Sequence, residues 1–132
     1  MKRKKLKPKK TTFEYLLIIS QKYDELKKKQ LSIFRLQTVQ EFTNFRYELV
    51  VEEEIRPGEI KYKIVGIDTP QLLIPGGGHA FYEKSYAQLS GEYKIKIVNL
   101  DGISNVVTIK FSKDKIKLLD SQQKSFVDIE IK

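Results

Sequence analysis

The sequence predicts a mainly β protein: a small antiparallel β-sandwich of six to eight strands, preceded by one N-terminal helix and a disordered basic arm. Three observations carry this reading. From Phe45 onward, apolar and polar residues alternate with a period of two, as in strands that bury one face. Turn-forming residues, Pro57-Gly58 and Gly102 among them, interrupt the alternation at the short intervals of an all-β domain. Charge is also segregated along the chain. Met1–Gln30 holds 11 of the 25 Lys and Arg but 3 of the 17 Asp and Glu, a net +8; the remaining 14 of each sign leave Leu31–Lys132 neutral.

Residues 1–10 contain seven cations, Lys2, Arg3, Lys4, Lys5, Lys7, Lys9 and Lys10, and no acid. Like charges and Pro8 leave such a segment nothing to bury, so it is expected to be flexible. Ten extended residues reach roughly 33 Å, far enough to touch a partner well away from the body. Residues 11–30 read as an amphipathic helix. Thr11 and Glu14 have the spacing of a capping box, and Leu16, Ile19, Tyr23 and Leu26 recur at helical intervals. Lys27, Lys28 and Lys29 then fall at the negative end of the helix dipole, and form a candidate second phosphate contact.

The body, residues 31–132, reads as the β-sandwich. Leu31 to Phe42 is ambiguous and a candidate first strand. Phe45, Tyr47, Leu49, Val51 and Ile55 alternate with Arg46, Glu48, Val50, Glu52 and Glu54; after Pro57-Gly58, Ile60, Tyr62 and Ile64 alternate with Lys61 and Lys63. One hairpin register satisfies everything at once: Ile55 opposite Ile60, Glu54 opposite Lys61, Glu52 opposite Lys63. A second hairpin places Tyr93, Ile95 and Ile97 on one face with Val107, Ile109 and Phe111, with Lys94, Lys96 and Lys110 outside. Matching those faces requires an odd-length loop with Gly102 in the left-handed conformation and a bulge beside it. Ala80 to Leu89, Lys115 to Leu119 and Phe126 to Ile131 supply further strands, the last with Val127, Ile129 and Ile131 inward.

Composition excludes much chemistry. The chain has no cysteine, hence no disulfide, thiolate metal site or thiol nucleophile, and its single histidine excludes zinc sites built on several imidazoles. Glu52, Glu53 and Glu54 resemble a metal-binding run, yet strand alternation separates them; Glu53 falls on the apolar face, where exposure at the sheet rim is the expected explanation. Asp68-Thr69-Pro70 has proline where an aspartic protease loop needs glycine. Gly76-Gly77-Gly78-His79 lacks the flanking helix of a phosphate loop and reads as a mobile connection. Tyr82, Lys84 and Tyr86 share a strand face, an arrangement that borders a core more often than it stacks bases. No catalytic residue, metal site or cofactor is expected.

The expected partners are therefore macromolecular. The arm is placed to grip nucleic acid phosphates without regard to sequence, and the neutral β-body to pack on other protein subunits. This is the layout of a virion coat-like or ribonucleoprotein component. Two other readings use the same features: an interaction sandwich whose arm is incidental or a localisation signal, and a protein held at an anionic membrane. No small-molecule substrate is evident. The N-terminus lacks the uninterrupted apolar stretch and cleavage site of a secretion signal, and no segment approaches a membrane span. The expected location is cytoplasmic or within a nucleoprotein assembly.

Overall fold

Alternation, not helical periodicity, governs the start of the described chain. The computed structural model describes residues 13–43, 47–68, 76–87, 89–113, 115–120 and 126–132. Tyr15–Asp24 forms a strand, β1, burying Tyr15, Leu17 and Ile19 while Leu16, Ile18 and Ser20 are half-buried on the other face. Among the described residues, the helix expected over 11–30 is thus corrected to a strand, a turn over 25–28 and the start of a second strand. Consecutive Leu16, Leu17, Ile18 and Ile19 satisfy both periods, and the partner strand decides between them. That partner, β2 (Lys29–Phe42), lies opposite every residue of β1, from Tyr15 against Thr38 to Asp24 against Lys29. The capping box fails for the same reason. Glu14 donates its N–H to the Phe126 carbonyl at 2.8 Å and accepts from the Val39 N–H at 3.0 Å, which commits its backbone to neighbouring segments. Thr11 lies outside the described residues.

β3 (Glu48–Arg56) and β4 (Glu59–Asp68) form the expected hairpin in the expected register, with Ile55 opposite Ile60, Glu54 opposite Lys61 and Glu52 opposite Lys63. Gly58 adopts φ 73° after Pro57, the type II combination. A bulge at Val65 bends β4, since Val51 pairs with Ile64 and Val50 with Gly66. β5 (Gly78–Ala87), β6 (Gly91–Val98), β7 (Ser104–Phe111), β8 (Ile116–Asp120) and β9 (Val127–Ile131) complete the set. In the β6–β7 hairpin, Ile95 faces Val107 and Tyr93 faces Ile109, and Gly102 takes φ 84° in the odd-length loop between Val98 and Ser104. The ladder carries no register shift beside this turn, contrary to the expected bulge. Asn99 closes the loop instead: its Oδ1 accepts from the N–H groups of Asp101 and Ile103, both at 2.9 Å.

The strands form one nine-stranded sheet, ordered β9-β1-β2-β5-β3-β4-β6-β7-β8. This corrects the six-to-eight-strand sandwich to a single, nearly closed sheet. The pairing is not wholly antiparallel either. β9 runs parallel to β1, β6 runs parallel to β4, and β5 meets β3 through one parallel bridge between Phe81 and Glu48. Twist accumulates across a sheet this wide, and strands of up to 14 residues let it curl onto itself. The two ends approach one another. Asn105 Oδ1 on β7 accepts from the Phe126 N–H beside β9 at 2.8 Å, and Gln21 Nε2 on β1 donates to the Ser112 carbonyl at 3.3 Å. The interior is one apolar core in which Phe34 of β2 stacks on Phe111 of β7, ring centroids 6.0 Å apart, although four strands lie between them in sheet order. Among the described residues, no helix is long and apolar enough to cross a membrane.

Candidate functional site

The arm cations Lys2, Arg3, Lys4, Lys5, Lys7, Lys9 and Lys10 lie outside the described residues. Lys27, Lys28 and Lys29 are described, and they occupy the tip of the β1–β2 hairpin, not a helix end. Asp24 builds the tip: its Oδ1 accepts from the Leu26 N–H at 3.0 Å and the Lys27 N–H at 3.3 Å, organising the turn over 25–28. Lys28 closes it in the left-handed region, φ 53°, where glycine or asparagine is usual. Leu26 is 97% exposed and Tyr23 is 53% exposed, so the tip presents apolar groups among the cations Lys22, Lys27, Lys28 and Lys29. The spacing of Leu26 from Tyr23 and Ile19 suggested a helix face, which concealed this arrangement.

A second cluster forms on the inner face of the sheet. Tyr82 and Tyr86 share that face of β5, as expected, and their neighbours are Glu53 of β3 and Tyr62 of β4. The Tyr62 and Tyr86 hydroxyls are 2.6 Å apart, and the Tyr86 hydroxyl donates to Glu53 Oε2. An ionised carboxylate only accepts, so the single Tyr86 proton points to Glu53 and Tyr62 donates to Tyr86. Lys84 Nζ lies 3.7 Å from Glu53 Oε1. Burial, then the bond to its neighbour, raises both the Tyr62 and the Tyr86 phenol above the ordinary tyrosine range. Rim exposure is thus the wrong explanation for Glu53, whose side chain is 19% exposed and anchored by a phenol and an ammonium. The rings are committed as well. Tyr82 packs edge-on against Tyr62 at 5.5 Å, and Tyr86 against Phe34 at 5.2 Å, leaving them bordering the core.

His79 is part of β5, and its ring contacts β2. Its Nδ1 is 2.6 Å from the Thr38 carbonyl and its Nε2 is 3.6 Å from Glu41 Oε1, while Thr38 Oγ1 accepts from the Ala80 N–H at 3.0 Å. Together these contacts brace the irregularity in β2 between Gln37 and Glu41. Gly77 is equally constrained, because a Cβ there would lie 2.4 Å from the Phe42 carbonyl oxygen. Of the connection read as mobile, Gly78 and His79 belong to β5 and pair with Phe42 and Glu41 of β2; Thr69 and Pro70 lie outside the described residues. Glu54 stays on the lysine-bearing face, 2.8 Å from Arg56 and 3.9 Å from Lys61. Among the described residues, no group of three His, Cys, Asp or Glu could hold a metal ion. No protein-family model, curated protein or solved structure matches the chain.

Proposed function

We propose that this chain is a non-enzymatic nucleic-acid-binding protein. The cations Lys2, Arg3, Lys4, Lys5, Lys7, Lys9 and Lys10 contact phosphates irrespective of sequence, and the β-body packs on other protein, as in a virion coat-like or ribonucleoprotein component. The observation that carries the reading is the segregation of charge: the whole net +8 lies in Met1–Gln30, ahead of a neutral body. Lys27, Lys28 and Lys29 at the hairpin tip extend the cationic region onto the folded part. Packing on protein is supported by apolar residues left exposed on the body, Val50, Val65 and Phe81 among them. The titratable clusters at Glu53 and His79 are occupied by internal bonds, which favours binding over catalysis.

The test is the salt dependence of nucleic acid binding. Engagement of all seven arm cations gives a log–log slope of roughly −6 on duplex DNA and roughly −5 on single strands. Deleting residues 1–10 should remove most of that slope and leave the melting temperature unchanged. A truncated chain that binds as tightly, with the same slope, would refute the assignment to the arm. Binding of both forms to a partner protein and not to nucleic acid would favour the interaction-module reading.

A further inference from the structure

We propose that the β1–β2 hairpin tip is a wedge for duplex DNA: Leu26 inserts at a base step while Lys22, Lys27, Lys28 and Lys29 engage the flanking phosphates. This rests on the nucleic-acid reading above and gives it a duplex-specific element. The tip stands clear of the rest of the sheet. β9 pairs with β1 only as far as Ile19, and β5 reaches β2 only at Leu31. Over 22–30, among the described residues, the ladder has no third strand. Two strands roughly 4.8 Å apart make a ribbon narrow enough to enter a groove.

Nothing in the core requires what the tip presents. Leu26 is 97% exposed, yet it is held in a defined turn by Asp24, whose Oδ1 accepts two backbone N–H groups. Glu25 is the other acid of the tip, against four lysines. Lys28 keeps a left-handed backbone that glycine would adopt without strain, so a cation stands where stability alone would favour none. An apolar side chain flanked by cations at the end of a narrow ribbon is the equipment for parting stacked bases from a groove.

The same features choose among polyanions. A single strand offers no stacked base step between paired strands to open. A bilayer is anchored poorly by one leucine, since even a whole myristoyl chain binds only marginally. Geometry also links the tip to the arm. β1 has 10 residues, a rise of roughly 33 Å between the arm's attachment and the tip, which is close to ten base pairs of duplex.

The experiment uses the full chain and a 20-base-pair duplex DNA carrying 2-aminopurine at its centre, with anisotropy read over a salt series. Wild type should raise the 2-aminopurine fluorescence as the base unstacks. Leu26→Ala should abolish most of that rise and weaken duplex binding about tenfold, the scale of one partly buried leucine, at an unchanged salt slope. Its affinity for a single strand should not change. Replacing Lys27, Lys28 and Lys29 with Gln should lower the duplex slope by roughly 2.7, about 0.9 per phosphate. Circular dichroism should be unaffected in both. If both variants match wild type on duplex DNA while arm variants lose binding, the tip proposal is overturned and the arm reading stands. Binding confined to single strands also overturns it. If wild type ignores nucleic acid but binds phosphatidylserine vesicles through Leu26, both readings fall.

Discussion

Replacing Tyr86 with Phe tests the interior polar network at its centre. Tyr86 is the only member with a hydrogen bond to each of the other two: its hydroxyl is 2.6 Å from Tyr62 and donates to Glu53. Tyr86→Phe strands the fully buried Tyr62 hydroxyl and removes a charge-assisted bond from Glu53. An unsatisfied buried polar group costs about 1–3 kcal/mol, and a bond to a charged group contributes about 1.5–3 kcal/mol. Glu53 keeps its ion pair with Lys84, which allows some relaxation, so the expected loss is about 2–4 kcal/mol. Tyr62→Phe removes one neutral bond and leaves Tyr86 donating to Glu53, for a loss of about 1 kcal/mol. The double variant should cost less than the two singles together, because no hydroxyl is then stranded. Urea denaturation followed by circular dichroism reads all three. Equal losses for the two single variants, or a Tyr86→Phe loss below about 0.5 kcal/mol, would mean that Tyr86 does not bridge Tyr62 to Glu53. An alkaline titration gives a second reading. Both phenols are raised above 10.0 in the folded chain, so their contribution is complete below pH 10 and declines as the pH rises further. The decline approaches about 1.4 kcal/mol per pH unit for each tyrosine still protonated when the unfolded chain has ionised. Tyr86→Phe should reduce that slope.

Ile95→Ala and Ile109→Ala should each cost about 2–5 kcal/mol, since both side chains are fully buried, whereas Lys94→Ala should stay within about 0.5 kcal/mol of wild type; thermal melts of the three variants check it. Lys28→Gly should raise stability by about 0.5–1 kcal/mol, the left-handed strain it relieves less the chain entropy it adds, while weakening DNA binding.

The hairpins were legible wherever independent local signals coincided. Between β3 and β4, apolar and charged pairs specify the same register, and Pro57-Gly58 marks its tip. Between β6 and β7, the two apolar faces alone fix the parity of the loop. β1 was not legible, because an unbroken apolar run carries no period of its own, and because its partner β2 disguises its alternation. Ser32 and Thr38 face the core in β2 beside Phe34 and Leu36, so polar residues occupy inward positions. The near-closure of the sheet was hidden for a different reason. It depends on β9 pairing with β1 and on β5 intervening between β2 and β3, connections between distant segments that no local period reports. The candidate sites follow the same division. Glu53 stood out as an acid on an apolar face, but the Tyr86 that satisfies it comes from another strand, and only the fold brings them together.

Placing Lys22, Lys27, Lys28 and Lys29 on the hairpin tip has an energetic consequence that bears on the proposed function. The body from Leu31 onward is electrically neutral, so its strands pair without net self-repulsion. Screening confines charge repulsion to roughly 8 Å at physiological ionic strength. The hairpin tip carries its lysines where the ladder has only two strands, away from the core residues Phe34, Tyr62 and Phe111. Cations at such positions can be added or removed with little effect on folding, and each still contributes to the attraction of a polyanion. The buried groups behave oppositely: Glu53, Tyr62 and Tyr86 support one another and offer a ligand little unsatisfied bonding. In the proposed reading, stability and binding are therefore carried by different residues. Variants of the arm and tip, apart from Lys28→Gly with its relieved backbone strain, should change affinity at constant melting temperature, and variants of the interior should change melting temperature while leaving the salt dependence of binding as it was.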